Sequence, residues 1–204
     1  MKLYGGALSP FFRKARVVLE EKGIPYQIQP LVPVPKTPEL LAMHPMGKIP
    51  ILRDGDVVVP DSSVICAYLE RKHPSPALYP LDAADLAAAL FFEEYADTRI
   101  SEIIGGIAFE TYVRPNILKE QGDAARAAEL RGRLPEIFGY LESKLSDDRE
   151  WLLSRFGIAD VAVGSMMQGL RLLGEEIDTA RWPRVARYRN AVESRPSFKT
   201  AISQ

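Results

Sequence analysis

The pattern of this chain changes once, and that change limits the fold more than any other feature. After His73-Pro74-Ser75-Pro76 and the stretch to about Asp82, every periodic segment has helical spacing. Before it, short β-branched or aromatic runs alternate with helical segments, set off by proline and glycine. Mixed elements followed by helices alone read as two units rather than one interleaved core. With 204 residues the chain has length enough for both. The expected division is 1–74, a linker over 75–82, and 83–204.

Within the first part, Lys2 to Gly5 is a strand candidate, and Ser9-Pro10 reads as an N-cap followed by the first helical residue. The serine oxygen accepts from a free N–H, and proline at that place has no N–H to leave unsatisfied. The helix that follows puts Phe11, Ala15, Val18 and Leu19 on one face, with Arg13, Lys14 and Glu20 largely elsewhere. Lys22-Gly23 supplies a basic last turn and a glycine stop. A second strand begins in Ile24–Ile28, and a proline-rich loop leads to a short helix near Glu39–Met43. Lys48–Leu52 is a third strand with Pro50 at its mouth; Asp54-Gly55 turns the chain back into Val57–Val59. Asp61-Ser62-Ser63 then caps another helix. The order β-α-β-α-β-β-α, with its proline-led third strand, is a thioredoxin-like layout.

In the second part, Leu86 to Val113 is one long alanine-rich run, and residues 123–145 carry leucines at helical spacing. Pro135 lies inside that pattern and is expected to kink it or to begin a new helix. Ile158–Leu173 is apolar almost all round, as in a helix at the centre of a bundle. Trp182–Ser194 and a short tail after Pro196 finish the chain. The predicted class is α/β plus all-α: a thioredoxin-like domain and then a helical bundle.

Composition narrows the function by exclusion. A net charge of −1 gives no drive toward nucleic acid or an anionic membrane. Residues 1–80 carry 10 Lys+Arg against 7 Asp+Glu and the remainder 16 against 20, so the first part is mildly basic. A single cysteine, Cys66, excludes an internal disulfide, and no Cys-x-x-Cys or Gly-x-Ser-x-Gly motif occurs. Two histidines are too few for an all-histidine metal site, so no metal is expected. With no apolar run of spanning length and no signal-like start, a cytoplasmic protein is expected.

Four motifs in order, Ser9-Pro10-Phe11-Phe12-Arg13-Lys14-Ala15-Arg16, Gly47-Lys48-Ile49-Pro50-Ile51-Leu52, Asp61-Ser62-Ser63-Val64-Ile65 and Ile158-Ala159-Asp160, together with the ending Arg195-Pro196-Ser197-Phe198, resemble cytosolic glutathione S-transferases. The resemblance covers nearly the whole chain and is to the serine-type members. It implies glutathione as co-substrate, an apolar electrophile as second substrate, and a homodimer. It further implies that Ser9, beside a positive helix N-terminus, stabilises the glutathione thiolate. Asp61 and Ser62 correspond to the γ-glutamyl site, a cis Ile49-Pro50 presents the Ile49 backbone to the cysteinyl part, and Lys36 corresponds to the lysine at the glycyl carboxylate, with Lys48 a second candidate. Phe11, Phe12, Ile103, Ile107 and Thr111 are expected at an electrophile pocket, although the same spacing describes a core stripe. An isomerase, dehalogenase or peroxidase using the same thiolate, and a non-enzymatic binding or regulatory protein of this fold, are the alternatives.

Other residues have simpler readings. Tyr4 should face the opposite side of the sheet from the site. His44 reads as a loop residue without a catalytic role, and Cys66 as a small buried hydrophobe. Asp160 reads as a folding residue. The family usually has Ser or Thr where this chain has Gly157, so only half of a capping box remains, with Asp160 accepting from Gly157 and Ile158.

Overall fold

A computed structural model describes residues 1–146 and 149–203. They form two compact units, one of Met1–Leu81 together with the segment from Ser194 onward, the other of Asp82–Glu193. The first unit contains β1 (Lys2–Gly5), α1 (Pro10–Glu21), β2 (Gln27–Pro30), α2 (Pro38–Met43), β3 (Ile51–Asp54), β4 (Val57–Pro60) and α3 (Ser62–Lys72). This is the expected order, in a four-stranded sheet arranged β2-β1-β3-β4. β1 and β2 are parallel, while β3 is antiparallel to β1 and β4. Leu3, Ile51, Leu52 and Val59 of the sheet are buried, as are Ala15, Val18, Leu19, Ile65 and Leu69 of the helices.

α1 starts and stops where its sequence dictates. Ser9 accepts from the Phe12 N–H at 3.3 Å, Pro10 opens the helix, and Gly23 ends it at φ +61°. Its cationic residues, however, are not on a solvated face. Arg13 and Lys14 are 1% and 0% exposed, and Arg16 is buried as well. Buried cations need partners, and the backbone supplies many of them. Arg13 donates to the carbonyls of Ala7 and Leu8 at 2.7 and 3.0 Å, and Arg16 donates to those of Ala201 and Ser203. Burial pulls the Arg13 guanidinium down to about 10, still charged at neutral pH.

The stretch after α3 is tied to the same unit. Lys22, its side chain fully buried, pairs with Glu70 at 2.7 Å and donates to the carbonyls of His73 and Pro76. Glu70 in turn accepts from the N–H groups of Leu78 and Tyr79.

The chain's last segment, expected as a short tail of the helical part, is a helix of the first unit, α10 (Pro196–Ile202). α1 grips it at both ends. Glu21 takes a two-pronged bond from Arg195 at 2.8 and 2.7 Å and accepts from the Ser197 hydroxyl. Arg16 meets the carbonyls at the other end. Each charge complements the helix dipole where it sits, negative at the N-terminus and positive at the C-terminus.

Among the described residues of the second unit, every regular element is a helix. α4 (Ala83–Tyr95) is capped by Asp82, which accepts from Ala84 and Asp85 N–H. It continues through a π-helical stretch Ala96–Gly105, a short α5 (Gly106–Ala108) and a second π-helical stretch Phe109–Leu118 containing Pro115. The long run from Leu86 to Val113 is therefore one helical path, but wider than an α-helix over much of its length. α6 (Ala124–Gly132) and α7 (Leu134–Lys144) follow, and Pro135 begins the latter as expected. α8 (Ile158–Leu172) is buried at every residue from Ile158 to Gln168 and packs on α4 and the first π-helical stretch; α9 (Pro183–Ser194) completes the unit. Asp160, fully buried, accepts from Gly157 N–H at 3.1 Å and from Leu152 N–H at 3.0 Å. The half capping box is present, but the second donor is Leu152 rather than Ile158, so the aspartate also pins the loop before α8.

The grip on α10 is testable. Burial alone would raise the Glu21 carboxyl, but Arg195 and Ser197 hold it below its ordinary value on balance. A lowered carboxyl stabilises the fold above its unfolded pKa, and that stability is lost as pH falls through the folded value. Glu21→Gln should cost about 1–3 kcal/mol at pH 7. In urea unfolding the gap to wild type should close at a pH below about 4.5. A gap independent of pH would show that charge is not what holds α10.

Candidate active site

Strand order, not sequence proximity, assembles the site. β1 ends at Gly5, and β2 ends opposite it at Pro30. β3 begins at Ile51 opposite Tyr4, and β4 ends at Pro60 opposite Ile51. The segments that leave or enter the sheet at these points carry Ser9, Lys36, Ile49-Pro50 and Asp61-Ser62. All four reach one end of one sheet.

Ser9 is half-buried at the head of α1, its oxygen accepting from Phe12 N–H. Its own hydroxyl proton has no acceptor among the described residues, so the group can cap its helix and still donate outward. The helix head is held close to β1 by Gly5. At φ +145° a side chain there is strained, and a Cβ would lie 2.5 Å from the Phe12 ring. Phe12, 1% exposed, is therefore the residue that seats α1 against the strand end.

Asp61 caps α3, one carboxylate oxygen accepting from Ser63 N–H at 2.9 Å and Val64 N–H at 3.2 Å. It does so at φ +75°, a conformation that side chains other than glycine rarely hold, and such strain concentrates at functional positions. Ser62 follows, 2% exposed. Lys14, buried on α1, donates to the Ser63 hydroxyl at 2.8 Å and brings a positive charge behind the α3 N-terminus. Ile49-Pro50 is cis, as expected. Lys36 is exposed, and its methylenes cover Gly47, where φ is +62° and a Cβ would lie 2.7 Å from the lysine Cδ. Lys36 is thus laid along the turn that leads to Ile49, whereas Lys48 is a solvated residue of that turn.

Among the residues expected at an electrophile pocket, Phe12, Ile103 and Ile107 have 1% exposure or less and fill the interior. Thr111 is exposed, its hydroxyl donating to the Ile107 carbonyl at 2.7 Å, and Phe11 is half-buried. Only Phe11 and Thr111 retain surface to offer a ligand. Tyr4 is half-buried in β1, and Cys66 is fully buried.

His44, read from the sequence as a loop residue, directly follows the last residue of α2. It is the buried C-cap of that helix, 2% exposed, with Nδ1 accepting from Met46 N–H at 3.3 Å. Burial lowers its pKa, against a raising influence of Asp61. Neither this nor the Lys14–Ser63 contact has a local sequence signal, since both depend on which loops the sheet brings together. Among the described residues no group of three or more His, Cys, Asp or Glu could hold a metal ion, and no helix is long and apolar enough to cross a membrane.

Residues 3–77 match the N-terminal domain family of glutathione S-transferases and residues 100–196 the C-terminal domain family. The chain belongs to the glutathione S-transferase family. Glutathione S-transferase 3 of Zea mays is 30% identical over 100% of this chain and 93% of its own length. The crystal structure of a Methylobacterium radiotolerans glutathione S-transferase in complex with glutathione sulfonate superposes with a TM-score of 0.80. It is 31% identical and the match covers 100% of this chain and 95% of that one. A stringent starvation protein A homolog of Coxiella burnetii is 24% identical over 100% of this chain and 92% of its own length.

The Gly5–Phe12 contact makes a direct prediction. Gly5→Ala should destabilise the fold by about 1–3 kcal/mol, through strain and overpacking. Gly6→Ala, next to it, meets nothing within 4 Å and should stay within about 0.5 kcal/mol of wild type. Equal melting of the two variants would remove Phe12 from its seating role.

Proposed function

We propose that the protein is a glutathione transferase that binds glutathione at this end of the sheet and uses Ser9 to hold its sulfur as thiolate. The observation that carries the reading is the convergence of Ser9, Lys36, Ile49-Pro50 and Asp61-Ser62 through strand order alone. A thiol has an ordinary pKa of about 8.5 and reacts as the thiolate. A hydroxyl with a free proton at a helix N-terminus favours the charged form over the neutral one. The α3 N-terminus, with Ser62, receives the γ-glutamyl carboxylate, and the Asp61 side chain receives the ammonium group. The backbone of Ile49 pairs with the extended cysteinyl part, and Lys36 meets the glycyl carboxylate. The thiol releases its proton to solvent, and the bonded thiolate attacks an electrophilic carbon of an apolar substrate; as the S–C bond forms, a leaving group departs with its electron pair or the π pair of an activated double bond moves onto its electron-withdrawing group. The Methylobacterium relative with its bound glutathione sulfonate supports the choice of ligand.

The relationship to a stringent starvation protein A homolog favours a second reading, a regulatory protein of this fold. Ser9 decides between them. Ser9→Ala should lower kcat/KM for conjugation roughly 10²-fold, the loss typical of one donor to a developing anion. Ser9→Cys should also lose conjugation, but its thiolate, favoured by the helix N-terminus, should attack oxidised glutathione and expel one glutathione thiolate. Intact mass should then show one added glutathione, removable by dithiothreitol, in a Cys66→Ala background. Wild type inert toward electrophiles, together with an unmodified Ser9→Cys thiol, would favour the regulatory reading.

We also place the active form as a two-fold homodimer. β4 is a sheet edge, with Val57, Val58 and neighbouring Val64 exposed, and α4 exposes Leu90 and Phe91. Apolar surface of this kind calls for a cover. Sedimentation should give twice 22.7 kDa at micromolar concentration, and Phe91→Glu should shift the species toward monomer. A monomeric wild type would overturn the assembly.

A further inference from the structure

We propose that His44 is a positioning residue for the glutathione site, holding the turn that carries Ile49-Pro50 while its ring is neutral and releasing it when protonated. The inference rests on the glutathione reading above, and its test separates the two.

His44 closes α2, its N–H donating to the Leu40 carbonyl at 2.8 Å. The next N–H groups of the chain return to the same residue. Met46 donates to the ring at Nδ1, and Gly47 donates to the His44 carbonyl at 2.7 Å. Gly47 adopts φ +62° in this turn, the Lys36 stem lies over it, and Lys48-Ile49-Pro50 follow directly into β3. The path of the chain into the site is therefore set by bonds to one imidazole and its carbonyl.

The ring bond exists in one protonation state only. Nδ1 accepts with its lone pair, which places the proton of the neutral ring on Nε2. A second proton makes Nδ1 a donor facing the Met46 N–H, so the bond becomes a repulsion. The ring is buried, which lowers its pKa; Asp61 at the head of α3 raises it and Lys48 on the turn lowers it again, leaving it below the ordinary 6.5. α2 itself adds only Glu39, in its exposed first turn, and β4 packed against it has no charged residue. A base with a lowered pKa favours the folded turn fully above about 6.5, and that contribution is lost as pH falls from there through the folded value. The site should be intact at neutral pH and loosen on the acid side.

Calorimetric titration with S-methylglutathione, which has no free thiol, reads this directly on the full chain. Wild-type affinity should be level from pH 7.5 to about 6.5 and fall about fivefold or more by pH 5.0. His44→Asn keeps an acceptor that does not titrate, so it should bind like wild type at pH 7.5 and stay level to pH 5.0. His44→Leu, with no acceptor, should be weak throughout. A level wild-type profile, or an acid loss in His44→Asn equal to that of wild type, would overturn the proposal. If wild type does not bind the ligand at any pH, the glutathione reading fails. The turn is then decided by amide resonances of unliganded wild type. Those of Met46 and Gly47 should move with the His44 ring titration, and their indifference to it would sink the turn mechanism as well.

Discussion

The contact between the Phe12 ring and the bare α-carbon of Gly5 is the constraint on which the rest of the first unit depends. Because nothing intervenes, α1 begins hard against the end of β1, and its N-terminal N–H groups lie at the sheet end. From there the strand order does the remainder. The reversal of β3 against β1 brings the entrance of one strand beside the exit of another. A second reversal brings the exit of β4, and with it Asp61, to the same place. A side chain at Gly5 would displace the helix head and leave the other groups converging on a gap.

Around that frame the protein buries an unusual amount of positive charge in one helix. Arg13, Lys14, Arg16 and the capping Lys22 all lie inside, each donating to carbonyl, hydroxyl or carboxylate groups of neighbouring segments. These bonds attach the loop after β1, the head of α3, the final helix and the proline-rich stretch after α3 to a single element. Removing one such partner leaves a buried polar group unsatisfied, which costs more than the bond contributes net. α1 therefore organises the unit through polar bonds as much as through its apolar face.

The difference between what was legible in the sequence and what was not follows from range. Ser9-Pro10, Gly23, Pro135 and the Asp54-Gly55 turn act within a few residues, and each bounds the element its chemistry calls for. The apolar character of α8 was equally plain. The burial of the α1 cations is not legible, because it depends on acceptors that other segments bring to the helix. The burial of His44 is not legible either, because its bond to Met46 lies in a turn with no motif. The π-helical widening after Tyr95 has no local signal before Pro115. At the site, Ser9 and Asp61 are visible as caps, whereas their placement at one end of the sheet belongs to the strand order.

The return of α10 to α1 gives the first unit a discontinuous chain. Residues 1–81 hold the whole sheet, yet the α10 partners of Arg16 and Glu21 are synthesised only after the helical unit. While the helical unit is still emerging from the ribosome, the thioredoxin-like unit must wait with Glu21 lacking its α10 partners and Arg16 bonded to the Tyr26 hydroxyl alone. Bringing those ends together closes a loop of more than a hundred residues, and such non-local contacts form late in folding. Completion of the first unit is thereby coupled to synthesis of α10, and a product truncated before that helix is left with an open seam along α1.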